Sequence, residues 1–182
     1  MQTDTLRVTQ PAATASSETL ASYGPHLALL AACLATGGSL FMSEVWGWIP
    51  CTMCWYQRIC MYPLVIVLLV GVLRGDRGVH LTALPLAGIG SLFAIYHYLL
   101  IRTDWLPAPR CMTTMPCNID YINLLGFINI PLLALMAFLI IMFGVTAPLV
   151  FEAAPAVSRR ARQAAALIIV LCAVGFGIAA AL

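Results

Sequence analysis

Five apolar runs, residues 27–48, 55–73, 81–101, 121–145 and 164–182, dominate this chain, and each is close to the length needed to cross a bilayer. A hydrocarbon core about 30 Å thick takes roughly 20 residues of helix. Inside lipid a backbone N–H or C=O finds no water, so a spanning segment must pair its own groups as helix or close into a barrel. The alternating strands of a membrane barrel are absent from this sequence. The prediction is an all-α integral membrane protein: a four-helix transmembrane bundle plus a fifth C-terminal transmembrane helix. Composition agrees, since 62% of the 182 residues are hydrophobic and 9% charged, too apolar and charge-poor for a soluble domain.

The flanks divide the chain further. Residues 1–26, rich in Ser, Thr and Ala, read as a polar, disordered cytoplasmic tail. Residues 27–146 read as the four-helix bundle with two cysteine-bearing extracytoplasmic loops, and 147–182 as a basic cytoplasmic linker followed by the last helix. The run from 27 is long for a signal-peptide core, lacks a basic flank and has no small-residue cleavage site before Cys51, so cleavage is not expected. Orientation rests on arginine, because the chain contains no lysine. With the N-terminus inside, the inner segments hold Arg7, Arg74, Arg77, Arg159, Arg160 and Arg162, whereas the outer loops hold Arg102 and Arg110. The positive-inside rule therefore predicts a cytoplasmic N-terminus in a bacterial inner membrane, with loops 43–54 and 102–120 outside. No nucleotide-binding glycine pattern occurs, and nucleic acid is not an expected partner.

The cysteines divide in the same way. Cys33, Cys60 and Cys172 lie within apolar runs, where a free cysteine behaves as a small hydrophobe. Cys51 and Cys54, spaced C-x-x-C, and Cys111 and Cys117, spaced C-x5-C, fall in the outer loops, where disulfides form and persist. Such a set could staple the loops, bind a metal or exchange electrons. Stapling gains little, because closing the longer ring removes on the order of 2 kcal/mol of unfolded-state entropy. A zinc tetrathiolate would need its thiols kept reduced in an oxidising compartment. A c-type haem would need histidine after the second cysteine, where Trp55 stands.

Redox chemistry has support from position. If the second span starts near Cys51, its thiols sit at a helix N-terminus, where dipole and free N–H groups favour thiolate. At about 100° per residue, Cys51, Cys54, Arg58 and Tyr62 share one stripe. Arg58 lies roughly 6 Å along the axis from Cys54 and can stabilise a thiolate or an anionic acceptor. An ionisable group within a span is costly enough to suggest function. His97, about a turn from the outer end of the third span, is at matching depth. With Trp46, Trp48 and Trp55 at the same interface, these residues suggest a pocket for a flat, lipid-soluble molecule such as a quinone.

The stretches "SEVWGWIPCTMCWYQRICMYPL", "YHYLL" and "CMTTMPCNIDYINLLGFINIPLLAL" resemble the disulfide bond formation protein B (DsbB) family, in its BdbC-like branch with a short second cysteine pair. The similarity runs from about residue 37 to 143. It implies a four-helix bundle that reoxidises a DsbA-like thioredoxin-fold protein with a CxxC motif, outside the cytoplasm, and passes two electrons to membrane quinone, ubiquinone or menaquinone. By resemblance, Cys51 and Cys54 are the quinone-proximal pair, with Cys54 beside the ring. Arg58 is the quinone-site arginine, and His97 lines the same pocket. Cys111 forms the mixed disulfide with the partner, and Cys117 passes oxidation through Cys51. No metal is implied. Glu44 and His97 are candidates for delivering protons.

Two features limit what carries over. The family's other branch has a long, helical loop between its second cysteines that offers the partner a groove, whereas five residues separate Cys111 from Cys117 here, so docking surface and exchange order do not transfer, and the last span lies outside the four-helix core. A vitamin K epoxide reductase type of enzyme shares the logic of loop cysteines feeding a helix-end pair. Here, however, C-x-x-C opens the second span, precedes the loop pair and is followed by W-Y-Q-R. The alternatives to an enzyme are a disulfide-stapled or metal-bound non-catalytic membrane module.

Overall fold

The computed structural model describes residues 22–103, 106, 116–151 and 159–181. It contains five helices: α1 (Gly24–Glu44), α2 (Thr52–Arg74), α3 (Val79–Arg102), α4 (Ile130–Val150) and α5 (Arg159–Ala181). The first four are long and apolar enough to cross a membrane, and the chain is a multi-pass membrane protein. The described apolar part of α5, Arg162–Ile178, is shorter.

Helices α1 to α4 close into a ring in which each packs on its sequence neighbours and α4 returns to α1, while α5 lies along α1 and touches α2. With no hydrophobic gain from leaving lipid, such helices associate by close packing, which favours small residues at the contact. Gly24 and Gly144 are such a contact. A Cβ on either would collide with the other's carbonyl oxygen, so the α1 and α4 backbones meet there directly. Gly90 of α3 leaves room for the ring of Phe138, which is fully buried at the bundle centre.

Local signals explain the helix ends. Pro25 and Pro131 occupy the first turns of α1 and α4, where a missing N–H costs nothing. Gly75 stops α2 in the left-handed conformation (φ 63°), and the Asp76 N–H bonds back to the Gly71 carbonyl. The fourth span differs from the sequence expectation: it starts at Ile130, not at 121. Residues 121–129 are apolar, but Leu125 and Gly126 both have positive φ, and Leu124 and Ile128 pair across the turn they make. The Asn129 side chain then caps α4 by accepting from the Leu132 N–H. Hydropathy alone does not register that turn. Likewise α1 ends at Glu44, and Trp46 and Trp48 lie beyond it, where Gly47 takes φ 68°.

Candidate functional site

The alternation of four helices brings the end of α1, the start of α2, the end of α3 and the start of α4 to one end of the bundle, and Cys51, Cys54 and Cys117 lie there. Cys51 is the N-cap of α2. Its backbone is extended (φ −71°, ψ 172°), and its sulfur accepts the free Cys54 N–H. The two sulfurs are 3.0 Å apart, with the Cys51 thiol donating to Cys54 Sγ, so Cys54 is the sulfur placed to carry negative charge. In the folded dithiol the Cys51 thiol is pushed up to about 12, chiefly by that hydrogen bond and then by burial, with His97 acting in the opposite direction.

The two sulfurs of the pair face different neighbours. Cys51, with Met53 and Leu100, packs against Cys117, which is almost fully buried. Cys54 instead lines a cavity of about 210 Å³ between α1, α2 and α4. A cavity of about 150 Å³ accommodates benzene, so this one has room for a substituted ring. Its walls are apolar (Leu34, Met61, Leu133 and Phe138 among them), and its polar groups come from Cys54, Gln57, Arg58 and Tyr62, with Ser39 and Tyr121 at its edge. The Arg58 guanidinium donates to the Ser39 carbonyl at 3.0 Å and lies 5.3 Å from the centre of the Trp55 ring. Among the described residues it is held by these groups and not by a carboxylate, which leaves its charge directed at the cavity. At the mouth, Tyr121 stacks on Trp48 (5.1 Å, 14°) and donates to the Ile49 carbonyl, fastening the second loop onto the first.

Three sequence expectations change here. The stripe of Cys51, Cys54, Arg58 and Tyr62 holds for the last three, which all line the cavity, but Cys51 leaves it, because an N-cap does not have helical backbone angles. His97 is not among the cavity-lining residues. It is buried on the far side of the pair, with Nε2 3.7 Å from Cys51 Sγ and 3.0 Å from the Cys117 carbonyl. Trp55 stacks under Arg58 and Trp46 packs on Phe41 and Trp48, and of the three interfacial tryptophans Trp48 alone lines the cavity. Glu44 is exposed at the end of α1 and accepts from Ser43. Cys111 lies outside the described residues.

Sequence reading overlooked Gln57, which is buried and bonded to His97 Nδ1 at 3.1 Å. The available signal was an amide within a membrane span, three residues after Cys54. The sulfurs of Cys51 and Cys54 and His97 Nε2 lie within 4.8 Å of one another, the spacing of a metal site. The Cys117 carbonyl, however, already occupies the ring nitrogen that would have to bind the ion. The donor set reads as a thiol pair with a hydrogen-bonded imidazole.

A helical membrane bundle that buries a helix-capping dithiol against a third, loop-borne cysteine defines a membrane protein of thiol–disulfide exchange. Residues 23–141 match the family model of the disulfide bond formation protein DsbB, and the chain belongs to that family. It is 46% identical over 111 residues to disulfide bond formation protein C of Bacillus subtilis, covering 60% of this chain and 80% of the relative. It is also 46% identical over 110 residues to a probable disulfide formation protein of Oceanobacillus iheyensis (59% and 76% covered), and 42% identical over 129 residues to one of Coxiella burnetii (70% and 88%). No solved structure matches the chain. Family membership makes the chain a thiol–disulfide oxidoreductase that works with a thiol–disulfide partner protein.

Proposed function

We propose that the chain is a dithiol:quinone oxidoreductase of the bacterial cytoplasmic membrane, its N-terminus inside, which reoxidises an extracytoplasmic thioredoxin-fold CxxC protein. The observation that carries this reading is the division of the Cys51–Cys54 pair, one sulfur against Cys117 and the other on the wall of a ring-sized cavity.

A partner thiolate attacks the Cys111–Cys117 disulfide and leaves with the disulfide, so that the loop pair becomes a dithiol. Cys117 thiolate then attacks Cys51, the Cys51–Cys54 bond breaks, and Cys54 departs as thiolate. Cys111 resolves the Cys51–Cys117 bond, which restores the loop disulfide and releases Cys51. The reduced pair returns to disulfide by giving up two electrons and two protons on the cavity side through Cys54. A quinone in the cavity supplies a two-electron, two-proton acceptor soluble in the bilayer. Apolar walls would hold the ring, Tyr62 and Arg58 would orient its oxygen, and Arg58 would stabilise negative charge at Cys54 where water is scarce.

The test is quinone reduction by purified protein supplied with a reduced CxxC thioredoxin-fold protein, comparing wild type with Cys54→Ala. Quinone-dependent partner oxidation that disappears in the variant is expected. A folded wild type inert toward both ubiquinone and menaquinone refutes the reading.

A further inference from the structure

His97 is a buried titratable group that the electron path above does not use, and its three contacts are specific. A carbonyl oxygen can only accept, so the 3.0 Å contact with the Cys117 carbonyl places the ring proton on Nε2. In the neutral imidazole Nδ1 is then an acceptor, and the Gln57 amide N–H donates to it at 3.1 Å. The same Nε2–H lies 3.7 Å from Cys51 Sγ, within reach for a hydrogen bond to sulfur. Both ring nitrogens are thus engaged behind the dithiol.

We infer that His97 acts on the Cys51 sulfur: its Nε2–H stabilises the charge on Cys51 when the loop pair exchanges with it, and Gln57 positions the ring and sets its tautomer. This rests on the relay proposed above and locates His97 at the exchange between the two cysteine pairs. When Cys111 displaces Cys51 from Cys117, the electron pair of the broken S–S bond remains on Cys51, and that thiolate is the species the Nε2–H faces. No proton need be lost from the ring, so neutral imidazole suffices. Among the described residues, Cys51, Cys54, Cys117 from the loop and Tyr96 of α3 are the titratable groups around it, with Tyr121 near the dithiol and Arg58 beyond Cys54. Helix α4, packed against α3, carries no titratable side chain over 130–150. The Cys117 carbonyl on the same N–H ties ring position to loop position. The imidazole does not itself line the cavity: Gln57, which does, stands between the cavity and Nδ1, and the Nε2–H points away from it to Cys51 and the Cys117 carbonyl.

The experiment uses the full chain in nanodiscs, with His97→Phe to remove the hydrogen bonds and His97→Gln to restore an amide N–H. In the reduced protein, Cys51 alkylation by iodoacetamide at pH 9, followed by peptide mass spectrometry, is expected to slow about tenfold or more in His97→Phe, as for loss of a hydrogen bond to a charged group. His97→Gln should recover part of that rate. In turnover, the fall should be in kcat, with KM for quinone unchanged. Gln57→Leu, which frees the tautomer, should slow Cys51 alkylation by less than His97→Phe. A raised quinone KM with unaltered Cys51 alkylation would place His97 at the acceptor and overturn the inference. So would alkylation within twofold of wild type in a variant whose thermal midpoint shows it folded. If wild type has no quinone-linked turnover the function proposal fails, while the alkylation comparison still decides the role of His97.

Discussion

Removing the Arg58 charge tests the cavity chemistry most directly. Four residues of helix put Arg58 about 6 Å along the axis from Cys54, and both side chains line the same space. For unit charges at about 6 Å and an effective dielectric of about 20, the interaction is about 3 kcal/mol. Arg58→Met keeps length and apolar contact but forfeits that stabilisation wherever negative charge develops at the cavity. At about 1.4 kcal/mol per factor of ten, kcat/KM for quinone should fall on the order of 100-fold. Arg58→Lys retains the charge but loses the planar contact with Trp55, and should lie between the two. The assay is steady-state quinone reduction at saturating reduced partner, with cysteine exchange followed separately by quenched alkylation. Exchange between partner and loop pair should be unaffected by either substitution. Folded Arg58→Met with kcat/KM within twofold of wild type would refute the electrostatic role.

Four further outcomes are expected. The Cys51 thiol is raised from 9.0 to about 12 in the folded dithiol, so it contributes stability that is full below pH 9 and lost as pH rises from 9 toward 12. The unfolding midpoint of reduced wild type should therefore fall more steeply over that range than that of Cys51→Ala, and parallel curves would contradict the assignment. Gly90→Ala drives a methyl into the Phe138 ring and should cost about 1–3 kcal/mol by overpacking, read as a lowered thermal midpoint in detergent. Trp48→Ala removes the stack with Tyr121, worth about 0.5–1.5 kcal/mol beyond area, and should raise quinone KM several-fold with little change in loop-pair exchange. Cys60→Ala, in the bundle core apart from the cluster of Cys51, Cys54 and Cys117, should leave turnover within about twofold by the usual behaviour of distant sites, and a large loss would show a thiol path that the described geometry does not contain.

Much of this protein was legible in one dimension. Span length, the arginine distribution and the spacings C-x-x-C and C-x5-C are properties of the chain as written, because bilayer thickness, helix rise and ring closure impose them before any tertiary contact forms. The stripe of Cys54, Arg58 and Tyr62 was legible too, since helical periodicity fixes it once α2 exists. Packing decided the rest. Whether residues 121–129 continue a helix or turn back depends on positive φ at Leu125 and Gly126 and on pairing across them, which an apolar composition conceals. That Cys51 turns from the cavity toward Cys117 follows from its extended N-cap backbone, a change of angle invisible to a wheel drawn at 100° per residue. The place of His97 could not be read at all from its depth, because depth gives a height in the bundle but not a direction. Direction was set when α3 packed against α2 and put the imidazole between Gln57, Cys51 and the Cys117 carbonyl.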